Sequence, residues 1–345
     1  MDLISIDGAE AGGGGQVLRT ALTLSAVTGR GFRLERIRAR GLRPGLRQQH
    51  VACVRAAALA CGAEVHGAFD GSPDLRFVPQ AAAPGEFSFD IGSAGAATLV
   101  LQTIVPILAL APSASRVSVL GGTHVPRSPS FEFLARHWVS VVERLGLVVR
   151  PSLVCAGFAP KGEGRIDCQI APWTRPASLD LGRRGALVAV RGTAGWARLR
   201  GNVAERAAKA ARDVLWEARR IESEWDVSEL SASAPGSFVQ IEGIFEVGRA
   251  ACFQLGERGL RPELLGARAA RWLLRFLEQE EAVVDPWLAD QLAVPFAAGR
   301  AGGRVLTSEV SSHLETVAAV LGLFGVPART LGRRGAPGGL EVEAW

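Results

Sequence analysis

Three groups of residues have the types and spacing for chemistry at phosphorus. His313 lies in Ser311-Ser312-His313-Leu314-Glu315. Ser312 and Glu315 have the spacing of a capping box, which puts His313 in the first turn of a helix. The positive end of a helix disfavours imidazolium and attracts phosphate, and both effects suit a neutral imidazole nucleophile. The competing reading is an ordinary surface histidine at a helix start. His66 and His137 fit that bystander reading, with His137 inside a helix and packed.

The second group is Gly12-Gly13-Gly14-Gly15, between a strand and a helix that begins Gln16-Val17-Leu18-Arg19. Glycines let backbone amides approach a phosphate, and the helix N-terminus adds positive potential. The run is neither a Walker A loop, since no Lys-Ser or Lys-Thr follows, nor a dinucleotide fingerprint, whose spacing differs. A tight turn without a ligand stays open. In the third group, Arg38-Ala39-Arg40-Gly41-Leu42-Arg43-Pro44-Gly45-Leu46-Arg47-Gln48-Gln49-His50, guanidiniums crowd a strand end and a loop before a helix. Arginine forks donate bidentately to phosphate oxygens. A solvated Arg-rich loop is the alternative.

Periodicity supplies the elements that must hold these groups. A strand at 3 to 6, a helix from 16 to 27, a strand near 33 to 38, a helix from 46 to 60 and two strands before Pro79 give the order βαβαββ. The same order returns from Phe87, with helices at 98 to 110 and 131 to 145, a strand at 117 to 120 and strands on either side of the Gly162 turn. A third copy starts near Ser178-Leu179-Asp180, is interrupted, and resumes with helices at 287 to 297 and 313 to 323. The interruption, 182 to 279, carries its own signals: strands at 186 to 190 and 238 to 246, and helices at 203 to 221 and 262 to 277. It reads as an inserted small α/β domain, with 1 to 181 and 280 to 345 forming the main body.

Composition narrows the function classes. With 345 residues, 48% of them hydrophobic, one large core or two ordinary domains can form. The net charge of +5 is a mild hint of a phosphate-rich partner. Lys161 and Lys209 are the only lysines, so a lysine nucleophile has two candidates at most. Cys53, Cys61, Cys155, Cys168 and Cys252 lack zinc-site spacing and read as thiols in a reducing compartment. The apolar run from 99 to 111 is too short to span a bilayer, and no signal-peptide pattern opens the chain. The expectation is a soluble, cytoplasmic protein with no membrane partner.

Several short stretches, in order, resemble one family, the RNA 3'-terminal phosphate cyclases. They are Gly13-Gly14-Gly15-Gln16-Val17-Leu18-Arg19, Pro44-Gly45-Leu46 with Gln49-His50, Ser93-Ala94-Gly95 with Leu99-Val100-Leu101-Gln102-Thr103, and Gly121-Gly122-Thr123. Gly157-Phe158-Ala159-Pro160-Lys161-Gly162, Leu288-Ala289-Asp290-Gln291-Leu292 and Ser312-His313-Leu314 continue the series. The resemblance implies an α/β fold of three βαβαββ repeats, similar to the C-terminal domain of a translation initiation factor, with a smaller α/β domain inserted in the third.

It also implies a three-step reaction. His313 attacks the α-phosphorus of ATP and releases pyrophosphate, AMP passes to an RNA 3'-phosphate, and the 2'-hydroxyl closes a 2',3'-cyclic phosphate with release of AMP. Gln102, Pro129, Trp287, Leu288, Ala289, Asp290 and Gln291 then match the ATP pocket, with Trp287 where a tyrosine is usual, and Gly13, Gly14 and Gly15 the glycine loop. Arg19, Arg38, Arg40, Gln49 and His50 match the substrate-phosphate residues. A divalent metal, Mg or Mn, is implied as well, with its ligands open because Gly12 stands where the family carries glutamate; Glu10 is nearby. Gly41 replaces an arginine, with Arg40 and Arg43 beside it, Glu163 interrupts a glycine triplet, and His124 replaces an asparagine.

Rival readings are a non-catalytic cyclase-like RNA-processing factor, which would lack the histidine, and a nucleotidyltransferase acting on another phosphate end. The related enolpyruvyl transferases rely on lysine and several carboxylates, and the scarcity of lysine argues against them.

Overall fold

The computed structural model describes residues 3–9, 14–39 and 41–345. Glu10, Gly12, Gly13 and Arg40 lie outside them. The first elements are β1 (Ile4–Asp7), α1 (Gly15–Thr28), β2 (Phe32–Glu35), α2 (Gln48–Cys61), β3 (Glu64–His66) and β4 (Leu75–Val78). In β1 and β2 alternate residues, Ile4, Ile6, Phe32 and Leu34, turn inward, as a half-buried strand requires. Their sheet runs β1-β2-β4-β3, with β1 and β2 parallel. The expected strand to residue 38 stops at Glu35, because Arg36 and Arg38 both adopt a φ of 52° and turn the chain out of the sheet.

Next come β5 (Glu86–Asp90), α3 (Ala97–Leu108), β6 (Ser115–Gly121), a helical stretch over 131–145, β7 (Val149–Cys155) and β8 (Gly164–Ile170), in the order β5-β6-β8-β7. The 131–145 stretch is less regular than its periodicity suggests. It holds a π-helical turn at Phe133–Trp138, then α4 (Val139–Val142), then a tight final turn that ends at Gly146 with φ 87°.

β9 (Leu179–Leu181) follows, then β10 (Leu187–Ala197), α5 (Val203–Arg219), β11 (Glu224–Glu229), β12 (Gly236–Phe245), β13 (Arg249–Leu255) and α6 (Pro262–Leu277). The chain ends with α7 (Pro286–Ala298), β14 (Gly303–Thr307), α8 (Ser312–Leu323), β15 (Ala328–Leu331) and β16 (Gly338–Val342). β9 pairs in parallel with β14, although the whole β10–α6 segment lies between them, and their sheet runs β15-β16-β14-β9. The sheet of the intervening segment has a different order, β11-β10-β12-β13.

β10 is much longer than the strand expected at 186 to 190. Gly192 and Gly195 obscure its pattern, and each lies beneath an aromatic ring, Trp225 and Phe238 respectively, which leaves no room for a side chain.

α1 packs on α2, α3, α7 and α8 and so occupies the middle of the helical layer. The apolar faces of these helices share one large core with the three outer sheets, while α5 and α6 cover their own sheet around Val190, Val239, Ile241 and Leu273. An aromatic seam joins the two parts. The buried His124 ring stacks on Phe158 and Phe238, at centroid distances of 5.2 Å and 4.6 Å, and Phe238 in turn contacts Phe253 on β13 at 5.7 Å. Among the described residues no helix is long and apolar enough to cross a membrane.

Candidate active site

α1, α7 and α8 bring their starts to one cleft of about 310 Å3. Gln16 and Arg19 come from α1, Trp287, Asp290 and Gln291 from α7, and His313 from α8. Leu99, Pro129, Phe133 and Phe253 supply apolar walls. A second cleft of about 440 Å3 shares Trp287, Asp290 and His313 and opens toward Trp272 and Arg275 of α6.

The start of α8 differs from the expected capping box by one residue. Ser311, not Ser312, is the N-cap: its Oγ accepts from the Leu314 amide at 2.9 Å. Glu315 turns away to pair with Arg334. The Ser311 hydroxyl also donates to Asp290 Oδ1 at 2.5 Å. The cap therefore fixes the helix start and the acid together.

His313 remains in the first turn, its side chain 65% exposed, with Nδ1 3.7 Å from Asp290 Oδ2. Asp290 is 4% exposed. Burial pushes its carboxyl up to about 7; the Ser311 hydroxyl pulls down, and Asp285 and Glu309 push up further. His313 is held below the usual histidine range, first by partial burial and then by Arg19. A neutral ring with its proton on Nδ1, facing Asp290, leaves the Nε2 lone pair free to attack.

On the α1 side, a Cβ at Gly15 would lie 2.7 Å from both Arg19 Nη1 and His50 Nε2, so a side chain here would displace the guanidinium and the ring. Arg19 donates to Gln16 Oε1 at 2.7 Å. His50 Nδ1 accepts from the Arg47 amide at 3.0 Å, so the neutral ring carries its proton on Nε2, the nitrogen beside Gly15. Burial, followed by Arg19, Arg38 and Arg47, drives His50 down to about 4. Gln49 accepts from the Ala96 amide at 3.1 Å and so anchors the neighbouring loop. Arg38 reaches the Gly45 carbonyl at 3.5 Å, at the limit of a hydrogen bond.

The remaining expected residues divide. Pro129 lines the 310 Å3 cleft, and its carbonyl accepts from Thr98 Oγ1 at 2.8 Å. Trp287 is 48% exposed and rests against Trp272 at 5.4 Å, with ring surface open for stacking. Gln102 is not on that cleft. It lines a small cavity of about 30 Å3 shared with Gln16, Arg19, Asp290 and Gln291, and among the described residues neither polar atom of its amide has a hydrogen-bond partner. Leu288 and Ala289 are 0% exposed and line neither cleft; they hold α7 in the core.

Several site residues escaped the sequence reading, Ser128 and Phe133 of the cleft lining among them. Ser311 was readable as a cap in principle, but the adjacent Ser312 competed for the role. Phe253 lies on β13, a strand not recognised. Arg127, which adopts a φ of 61° at the cleft rim, carries no local signal. Among the described residues no three His, Cys, Asp or Glu side chains cluster as a metal site.

Fold and cleft define a mixed α/β protein of several small sheets, whose helix starts converge on one cleft of about 310 Å3. Residues 11–327 match the family described as RNA 3'-terminal phosphate cyclase, and the chain belongs to that family. It is 39% identical over 334 residues to the RNA 3'-terminal phosphate cyclase of Methylococcus capsulatus, covering 94% of this chain and 92% of that protein. Its identity to the protein of that name from Ralstonia nicotianae is 41% over 323 residues, with 93% and 91% covered. For the one from Pyrobaculum aerophilum it is 37% over 317 residues, with 91% and 90% covered.

Proposed function

We propose that this protein is an ATP-dependent enzyme that converts an RNA 3'-terminal phosphate to a 2',3'-cyclic phosphate through AMP carried on His313. The observation that carries the reading is the exposed His313 ring above a buried Asp290, in one cleft with Trp287 and Arg19.

In the first step His313 Nε2 forms a bond to the α-phosphorus of ATP as the bond to the β-phosphate oxygen breaks, and pyrophosphate leaves. Asp290 balances the charge that the ring gains. An oxygen of the RNA 3'-phosphate then attacks the same phosphorus and the P–N bond breaks, leaving AMP joined to the RNA end. Finally the 2'-hydroxyl oxygen attacks the 3'-phosphorus, loses its proton and expels AMP. Each displacement depends on alignment and charge stabilisation. Arg19, Arg38 and the neutral Nε2–H of His50 offer donors to phosphate oxygens, and Trp287 opposite Pro129 offers a stacking slot for adenine. No step is assigned to a metal.

The same reading makes the fold three βαβαββ units forming a body of residues 1–181 and 280–345, with 182–279 inserted. Three sheets sharing one strand pattern, and a fourth that departs from it, support this. Five free thiols suit a cytoplasmic enzyme.

Incubation with ATP labelled on the α-phosphate, followed by denaturing electrophoresis, tests the nucleophile. Wild type takes up label that survives alkali and is lost in acid, as a phosphoramidate does, and His313→Ala takes up none. Unchanged labelling of His313→Ala removes that residue from the mechanism. No label on wild type, with RNA binding retained, favours the non-catalytic processing factor.

A further inference from the structure

We propose that His137 and Asp285 form a buried positioning pair that sets the start of α7, and with it Trp287 and Asp290, for nucleotide binding; the inference rests on the function proposed above. Both side chains are 0% exposed, and His137 Nε2 lies 2.6 Å from Asp285 Oδ2. Asp285 Oδ1 accepts from the Leu288 amide at 2.9 Å and caps α7, while Oδ2 also accepts from the Ala251 amide of β13 at 3.0 Å. The preceding residue, Val284, bridges Arg249 of β13 and Thr307 of β14. Three parts of the chain therefore converge on the residue that opens the helix bearing Trp287 and Asp290.

Capping alone does not account for the histidine. An N-cap aspartate needs only the Leu288 amide. A buried ionisable pair is costly to desolvate, and well-packed apolar residues often serve stability as well or better. Among the described residues His137 Nδ1 has no hydrogen-bond partner, and Asp285 is the ring's one hydrogen-bonding tie. What the tie adds is registry. His137 sits in the π-helical turn Phe133–Trp138, a distortion frequent at functional sites. From the same turn Phe133 lines the cleft, and Trp138 Nε1 donates to the Gln291 carbonyl at 3.2 Å. The pair thus fixes one wall of the nucleotide cleft relative to another. Half-exposed Trp287 is not packed on all sides, so its placement follows from where α7 begins.

The test compares His137→Phe, which keeps the ring and removes the donor, with His137→Gln, whose amide restores a donor near Nε2. ATP affinity by calorimetry, the ATP dependence of α-phosphate labelling, and the melting temperature are read for each. His137→Phe weakens ATP binding and raises the KM for labelling roughly tenfold, with kcat changed by less than about threefold; His137→Gln returns both toward wild type. If His137→Phe does not fold, Asp285→Ser serves, because serine keeps the cap and releases the His137 and Ala251 contacts; the same rise in KM is expected. A folded variant with wild-type ATP affinity overturns the proposal, as does equal loss in His137→Gln and His137→Phe. Calorimetry separates the two readings: if wild type takes up no label, the catalytic assignment fails, while the affinity pattern still decides the positioning role.

Discussion

Replacing Asp290 with asparagine isolates the energetic consequence of burying an acid beneath His313. The folded carboxyl titrates at about 7 against an ordinary value of 3.8. Between those values the folded protein binds a proton that the unfolded chain releases. The favourable contribution of this proton is fully present below pH 3.8 and is lost as pH rises through 7. Integrating over that window, wild type loses on the order of 2–3 kcal/mol between pH 5 and pH 8 from this residue alone. Asparagine keeps the shape, carries no titrating proton and lacks that loss.

The assay is urea unfolding at both pH values for wild type and Asp290→Asn. The variant gains stability relative to wild type at pH 8 by that amount more than at pH 5, and its α-phosphate labelling falls. His50 titrates in both proteins and cancels in the comparison. Parallel pH dependences in the two proteins refute the buried-acid argument. A gap of the right size with undiminished labelling detaches Asp290 from the chemistry.

His50 works in the opposite sense. Its folded value of about 4 lies below the ordinary 6.5, so stability falls as pH drops from 6.5 toward 4; His50→Gln removes roughly 2 kcal/mol of that acid loss, read from urea midpoints at pH 4.5 and 7.5. Gly15→Ala displaces the Arg19 guanidinium and the His50 ring, raising the KM for ATP in the labelling assay roughly tenfold; an unchanged KM shows that the glycine loop does not serve phosphate binding. Trp287→Ala loses roughly 1–3 kcal/mol of ATP binding by calorimetry while Trp287→Tyr stays close to wild type, and equal affinities for all three exclude stacking.

Legibility in the sequence followed the strength of local signals. α1 and α2 end at Gly29 and Gly62, with φ 71° and 58°, and apolar periodicity marked both helices. His313 was readable because a capping pattern surrounds it, although the expected cap, Ser312, is one residue later than the true cap, Ser311. β10 was cut short because glycines under aromatic rings interrupt its alternation. The His137–Asp285 contact spans two distant parts of the chain, and only the folded backbone brings them together. Gln102 shows the remaining gap: motif position assigned it to the nucleotide, but the side chain lines the small cavity rather than the cleft.

The aromatic seam limits how freely this protein's parts can be exchanged. Phe253 walls the cleft from β13, and its support runs through Phe238 to His124 and Phe158 on the opposite side of the junction. Grafting the β10–α6 segment from a relative would transplant half of a matched ring set and misfit the pocket. A working chimera must carry the ring at position 124 and its stacking companions as a single cassette.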